Sequence, residues 1–197
     1  MVWSYAFGVG AILIFWWVSF NTTGKWAPFA LAHNEAKEAK GLSASKFQAL
    51  IWTAAALFAY ASVFGARLLE VGLRQTLATL PMIPLNLLLL MGFSATTAVG
   101  SKGVTVTYKT RGVIPDTGGS LTLNPEGQPD MVKAQMVVWS LIGAMIYLAS
   151  VVNFVGAKGY LTSQLALPDV DGTLLVLMGV SQGSYLGNKL VTLGAKK

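Results

Sequence analysis

The chain has 197 residues, of which 54% are hydrophobic and only 11% charged, with a net charge of +6 and no cysteine. Its mean hydropathy is +0.59, and a soluble domain carries roughly 25% charged residues, so these residues cannot clothe an ordinary water-facing surface. Disorder is excluded too, because it needs low hydrophobicity and high charge. Without thiols there is no disulfide framework, thiolate metal site or cysteine nucleophile.

The class left is an all-α integral membrane protein. A spanning helix needs about 20 mostly apolar residues, and five nearly charge-free runs supply them: residues 2–20, 47–66, 85–101, 134–157 and 172–188. Pro81 and Pro84 set the start of the third, and Lys189 closes the short fifth by snorkelling to the interface. Barrel strands alternate apolar and polar residues, whereas Leu87-Leu88-Leu89-Leu90-Met91 does not. The first run lacks the positive start and small-residue cleavage site of a signal peptide. Trp3, Tyr5, Trp16, Trp17 and Trp26 near its two ends read instead as interfacial anchors.

Five spans sort the 14 basic residues into 11 on one side and three, Arg67, Arg74 and Lys158, on the other. The positive-inside rule then places the N-terminus outside and the C-terminus in the cytoplasm. The expected home is a prokaryotic inner membrane. The excess charge is a topology signal, with no nucleic-acid partner implied.

A shift of 87 residues lays segment 46–105 on 133–192 without a gap, with 17 of 60 positions identical. Lys46, Gln48, Trp52, Tyr60 and Pro81 fall on Lys133, Gln135, Trp139, Tyr147 and Pro168, and Met91-Gly92, Ser94 and Gly100 fall on Met178-Gly179, Ser181 and Gly187. This reads as a tandem duplication of a two-helix unit. Each copy holds an even number of spans, so the two are parallel repeats about an axis along the membrane normal. The divisions are an N-terminal helix and loop (1–45), the first unit (46–105), a cytoplasmic loop (106–132), and the second unit with a basic tail (133–197).

The third and fifth helices each present two stripes. Gly92, Thr96 and Gly100, matched by Gly179, Gly183 and Gly187, form a small-xxx-small seam suited to close helix packing. Ser94, Thr97 and Ser101, matched by Ser181, Ser184 and Asn188, form a polar line. That line reads either as a pore lining or as hydroxyls bonded back to their own helix. Thr96-Thr97-Ala98-Val99-Gly100 is no potassium filter, because it ends a Leu-rich helix and Lys102 follows.

Chemistry-bearing residues are sparse. Arg67 and Glu70, three apart, are expected to pair at the surface. Asn153, deep in the fourth span, needs a hydrogen-bond partner. Gln48 and Gln135 are expected to cap or bridge at the cytoplasmic interface. His33 lies in a Lys/Glu-rich loop, where 28–40 suggests a short surface helix. Asp169 and Asp171 hint at calcium, but the ligand set is incomplete, and Asp171 reads better as the N-cap of the fifth helix. In the loop after the third span, Val104–Tyr108 alternates like a strand and Ser120–Leu123 is placed to pair with it, predicting a small cytoplasmic β-hairpin.

No phosphate-binding loop, dinucleotide fingerprint, zincin motif or nucleophile elbow occurs. The expectation is a non-catalytic protein with no cofactor and no metal. It would act as a scaffold or accessory subunit in contact with lipid and with its own copies or other membrane subunits. The alternative is a homo-oligomeric channel or small-solute pathway lined by the Ser/Thr stripes.

Overall fold

The computed structural model of the chain describes residues 2–23, 42–110, 120–123, 128–162 and 165–194. They form six α-helices and one 3-10 turn: α1 (Val2–Thr23), α2 (Ala44–Val71), α3 (Leu73–Ala78), α4 (Leu85–Thr110), α5 (Met131–Gly156), the turn Gly159–Leu161, and α6 (Gly172–Gly194). Four helices are long and apolar enough to cross a membrane: α1 over Trp3–Asn21, α2 over its whole length, α4 over Leu85–Val104, and α5 over its whole length. The fifth expected span, α6, is not one of the four. Ser181, Gln182, Ser184, Asn188 and Lys189 dilute its apolar residues.

The helix ends follow local chemistry. Asp130 caps α5 by accepting from the amides of Val132 at 3.1 Å and Lys133 at 3.2 Å. Asp171 does the same for α6, from Thr173 at 2.9 Å and Leu174 at 3.3 Å, as the sequence predicts. α2 stops at Gly72, whose φ of 84° suits a residue without Cβ, and its amide donates back to Leu68 O. Pro81 and Pro84 then hold the chain extended until α4 begins at Leu85, where the prolines predict it.

The hairpin is corrected. Val104–Tyr108 lies inside α4, which continues to Thr110. An established helix gains one backbone hydrogen bond for every residue it fixes, and that outweighs a five-residue alternation. The antiparallel pairing in this loop joins Leu123 to Pro129 instead, with the Asp130 amide donating to Thr122 O at 2.7 Å. His33 and the surface helix expected over 28–40 lie outside the described residues.

Four helices close a ring: α2 packs on α4, α4 on α6, α6 on α5, and α5 on α2. α1 lies outside the ring against α2. It runs antiparallel to α2, since its Phe7 faces Gly65 late in α2 while its Phe15 joins Ala44, Phe47 and Leu50 at the start of α2. The α1–α2 approach is close. A Cβ on Gly8 would collide with Ser62 and Phe58, and one on Gly65 would collide with Phe7.

The bundle has two distinct ends. At the proline end, the segments leading into α4 and α6 lie side by side as a parallel bridge, Met82 N to Leu165 O at 2.8 Å and Leu167 N to Met82 O at 2.9 Å. Asn86 reinforces it by donating to Asp169 Oδ2 and Val170 O. At the serine end, Ser45 Oγ lies 2.9 Å from Ser101 Oγ. The main core of Trp52, Val63, Leu87, Leu90, Val151, Val155, Leu165 and Met178 fills the space from the middle of the ring to the proline end.

Candidate functional site: a polar layer between four helices

The ring interior is polar towards the serine end, and the layers can be built from named contacts. The outermost joins Ser45 of α2, Ser101 of α4 and Tyr185 of α6, whose phenol hydrogen-bonds both serines. One turn deeper, α2 carries Gln48, α4 Thr97, α5 Ser140 and α6 Gln182. Exposures of 1%, 2%, 0% and 3% put all four in the interior. Thr97 Oγ1 donates to Gln182 Oε1 at 3.1 Å, tying α4 to α6. The next turn closes the layer with Trp52 against α5 and α6: a Cβ on Gly143 would sit 3.2 Å from Trp52 Cζ2 and 3.5 Å from Met178 Sδ. Tyr147, one turn beyond Gly143, packs its ring 6.2 Å from that of Trp52.

The hydroxyls and amides of these layers behave differently. Ser94, Ser140 and Ser181 each donate to a carbonyl four residues back in their own helix, at 2.9, 2.7 and 2.9 Å. These serines therefore satisfy themselves, as the self-bonding reading expects. Gln48 Nε2 and Oε1, Trp52 Nε1, Gln182 Nε2 and Tyr147 OH are buried without a hydrogen-bond partner among the described residues. A buried polar group left unpaired costs about 1–3 kcal/mol, so this interior is primed for hydrogen bonding. It holds no carboxylate, lysine or histidine among the described residues.

The predicted site residues divide. In the polar line, Ser94, Thr97, Ser101 and Ser181 face the interior, while Ser184 and Asn188 are exposed. Among the glycine-seam residues, Gly100 meets Leu186 and Gly179 meets Phe93 across the α4–α6 contact. Among the described residues, no neighbouring atom lies within 4 Å of a Cβ built on Gly92, Gly183 or Gly187, and Thr96 is exposed. Among the described residues, the glycines that bring two long helices closest together are Gly8 of α1 and Gly65 of α2. Sequence reading passed over both, although Gly8 and Gly10 in an otherwise apolar helix were a signal. Gln182 was passed over too, and an amide in the middle of a membrane-type helix was its signal.

Three other expectations are corrected. Arg67 and Glu70 do not pair: Glu70 Oε1 lies 2.8 Å from Lys158 Nζ, while Arg67 turns inward and donates from Nη1 to Tyr160 O at 2.6 Å. Asn153 is exposed on the surface of α5 and is not deep in the bundle. Gln48 and Gln135, aligned in the repeat, part company, with Gln48 buried and Gln135 exposed. Asp169 is held by Asn86 and by the Val170 amide at 2.8 Å. The described residues contain no group of three or more acidic or histidine side chains arranged to hold a metal ion.

Electrostatics outside the helices are local. Hydrogen bonds from the Thr173 side chain and from the Thr173 and Leu174 amides hold the Asp171 carboxyl below its ordinary range. The Glu70 carboxylate holds the Lys158 ammonium above its own. Comparison of the chain with protein-family models, curated proteins and solved structures finds no match.

Proposed function

We propose that this chain is a non-catalytic, multi-pass protein of a prokaryotic inner membrane that serves as a scaffold or accessory subunit of a membrane assembly. α6 would be its fifth span, and the basic ends would face the cytoplasm. The observation that carries the reading is the interior of the ring. Its polar groups are amides, hydroxyls, an indole and phenols, of which Thr97 with Gln182 and Ser45 with Ser101 tie helices together, with no acid–base pair among the described residues. Duplication of a two-helix unit fits the same picture. α2 packs on α5 and α4 on α6, and the parallel Met82–Ala166 bridge is what an axis along the membrane normal would give. Gly92, Gly183 and Gly187, open within this chain, are where a neighbouring subunit's helix would approach.

A photo-reactive residue at Gly183, activated in native membranes, tests the proposal. Adducts to a second copy or to another membrane protein are the expected result. A protein that cross-links to lipid alone from that position, and that purifies as a lone monomer, would end this reading.

One observation favours a solute pathway as the second reading, namely the unpartnered amide of Gln48 and the unpartnered Nε2 of Gln182 among the described residues. Such a pathway would run inside one ring, because Ser184 and Asn188 are exposed while the other four residues of the line are buried. Reconstituted protein that gives no flux of water or small neutral solutes, with Gln48→Leu and Gln182→Leu equally silent, would dispose of it.

A further inference from the structure

We propose that Arg67 anchors a binding site for a phosphate group at the proline end of the bundle, opposite the end where α6 finishes. Arg67 is only 8% exposed. Its guanidinium has five N–H donors and no way to shed its charge, yet one backbone carbonyl, Tyr160 O at 2.6 Å, is its single hydrogen-bond partner among the described residues. Its Nε is buried with none. The carboxylates that share this end are all engaged elsewhere. Glu70 pairs with Lys158, Asp169 accepts from Asn86 and the Val170 amide, and Asp171 caps α6. The fourth described carboxylate, Asp130, caps α5 at the other end.

A buried cation requires either a counter-charge or a full set of acceptors, and within the described residues Arg67 has neither. Its fork of donors matches a phosphate, which offers several oxygens in the bidentate geometry that guanidinium prefers. Position selects the same chemistry. Arg67 stands four residues before the end of α2, about 6 Å along the helix axis. That is the headgroup level if α2 crosses the bilayer. Arg74 also stands at this end, while Lys158 is neutralised by Glu70. The phosphate is either the diester of a phospholipid or free inorganic phosphate. The inference rests on α2 as a membrane span, not on the scaffold reading.

The full chain in a maltoside micelle, which carries no phosphate, is the starting point. Phosphatidylglycerol and inorganic phosphate are titrated separately, with bound molecules read by native mass spectrometry and the thermal midpoint followed in parallel. Wild type is expected to hold one phospholipid saturably, with a rise in midpoint. Arg67→Gln should bind at least tenfold more weakly. Arg67→Lys, which keeps the charge and loses the fork, should fall between. An equal response to inorganic phosphate identifies free phosphate as the source. Equal lipid binding by wild type and Arg67→Gln overturns the proposal. Should Arg67→Gln fail to fold, a magnetic-resonance contact between guanidinium nitrogen and lipid or phosphate phosphorus in wild type decides, and its absence overturns the site. A chain that stays in solution without detergent refutes the membrane placement instead, whatever Arg67 binds.

Discussion

α2 and α5 align over their length at the 87-residue shift, yet they live in different surroundings. Trp52 is fully buried, while the aligned Trp139 is half-buried. Gln48 is interior and Gln135 exposed. Gly65 lies beneath Phe7, whereas the aligned Val152 is 47% exposed. For Gly65 the cause is α1, which packs on α2 and has no counterpart on α5; Trp52 instead turns into the ring against Gly143 and Met178. Two similar helices in one chain thus acquire different surroundings: α2 packs on α1, α4 and α5, and α5 leaves one face exposed.

Paired substitutions on the two helices test that contrast. The largest effect is expected at the tryptophans. Trp52→Ala should cost about 3–5 kcal/mol, the range for a fully buried aromatic, while Trp139→Ala should cost less than half of that; unfolding midpoints in one detergent measure both. A leucine at Gly65 must displace Phe7, and overpacking of that kind costs about 1–3 kcal/mol. Val152→Leu should fall within about 0.5 kcal/mol, the range for an exposed site. A cysteine pair across α1 and α2 would report whether Gly65→Leu pushes α1 away.

The amides give a smaller effect that differs in sign. Gln48→Leu removes two unpaired polar atoms from the interior and should be neutral or stabilising, because no partner is left behind. Thr97→Val takes the donor from Gln182 Oε1 and should cost about 1 kcal/mol. If Gln48→Leu destabilises instead, the amide has a partner, and a bound molecule in the polar layer becomes the reading to pursue.

The smallest effects are at the helix ends. Asp130→Ala should cost about 1 kcal/mol as the loss of an N-cap. At α6 the carboxyl of Asp171 titrates below its ordinary range. Its capping contribution is therefore present above the unfolded pKa of about 3.9, and is lost as pH falls through the lower folded value. Lys158, titrating above its ordinary range, behaves oppositely. Its bond to Glu70 contributes below the unfolded pKa of about 10.4 and fades as pH rises through the folded value. Amide exchange at Thr173 and Leu174 against pH checks the first, and a thermal scan of wild type against Glu70→Gln at alkaline pH checks the second.

By itself, the sequence determined the all-helical body, four of its long apolar helices, the start of α4 after Pro84 and the cap at Asp171. These depend on charge-free length, on proline and on a carboxylate before a helix, all of which act within a few residues. It also placed Ser94, Thr97, Ser101 and Ser181 on a polar line. Tertiary structure alone decided that the line splits at Ser184, that Gln48 and Gln182 join it, and that Arg67 turns inward while Glu70 reaches Lys158. It also decided that Gly8 and Gly65 meet their neighbours more closely than the repeated Gly100 and Gly179 do. Helical periodicity gives a residue's direction on its own helix, but burial depends on which other helix lies in that direction. Here Gly8 and Gly65 are settled by α1 choosing α2, and the polar line and Arg67 by the closing of the α2–α4–α6–α5 ring, contacts between residues far apart in the chain that no local pattern encodes.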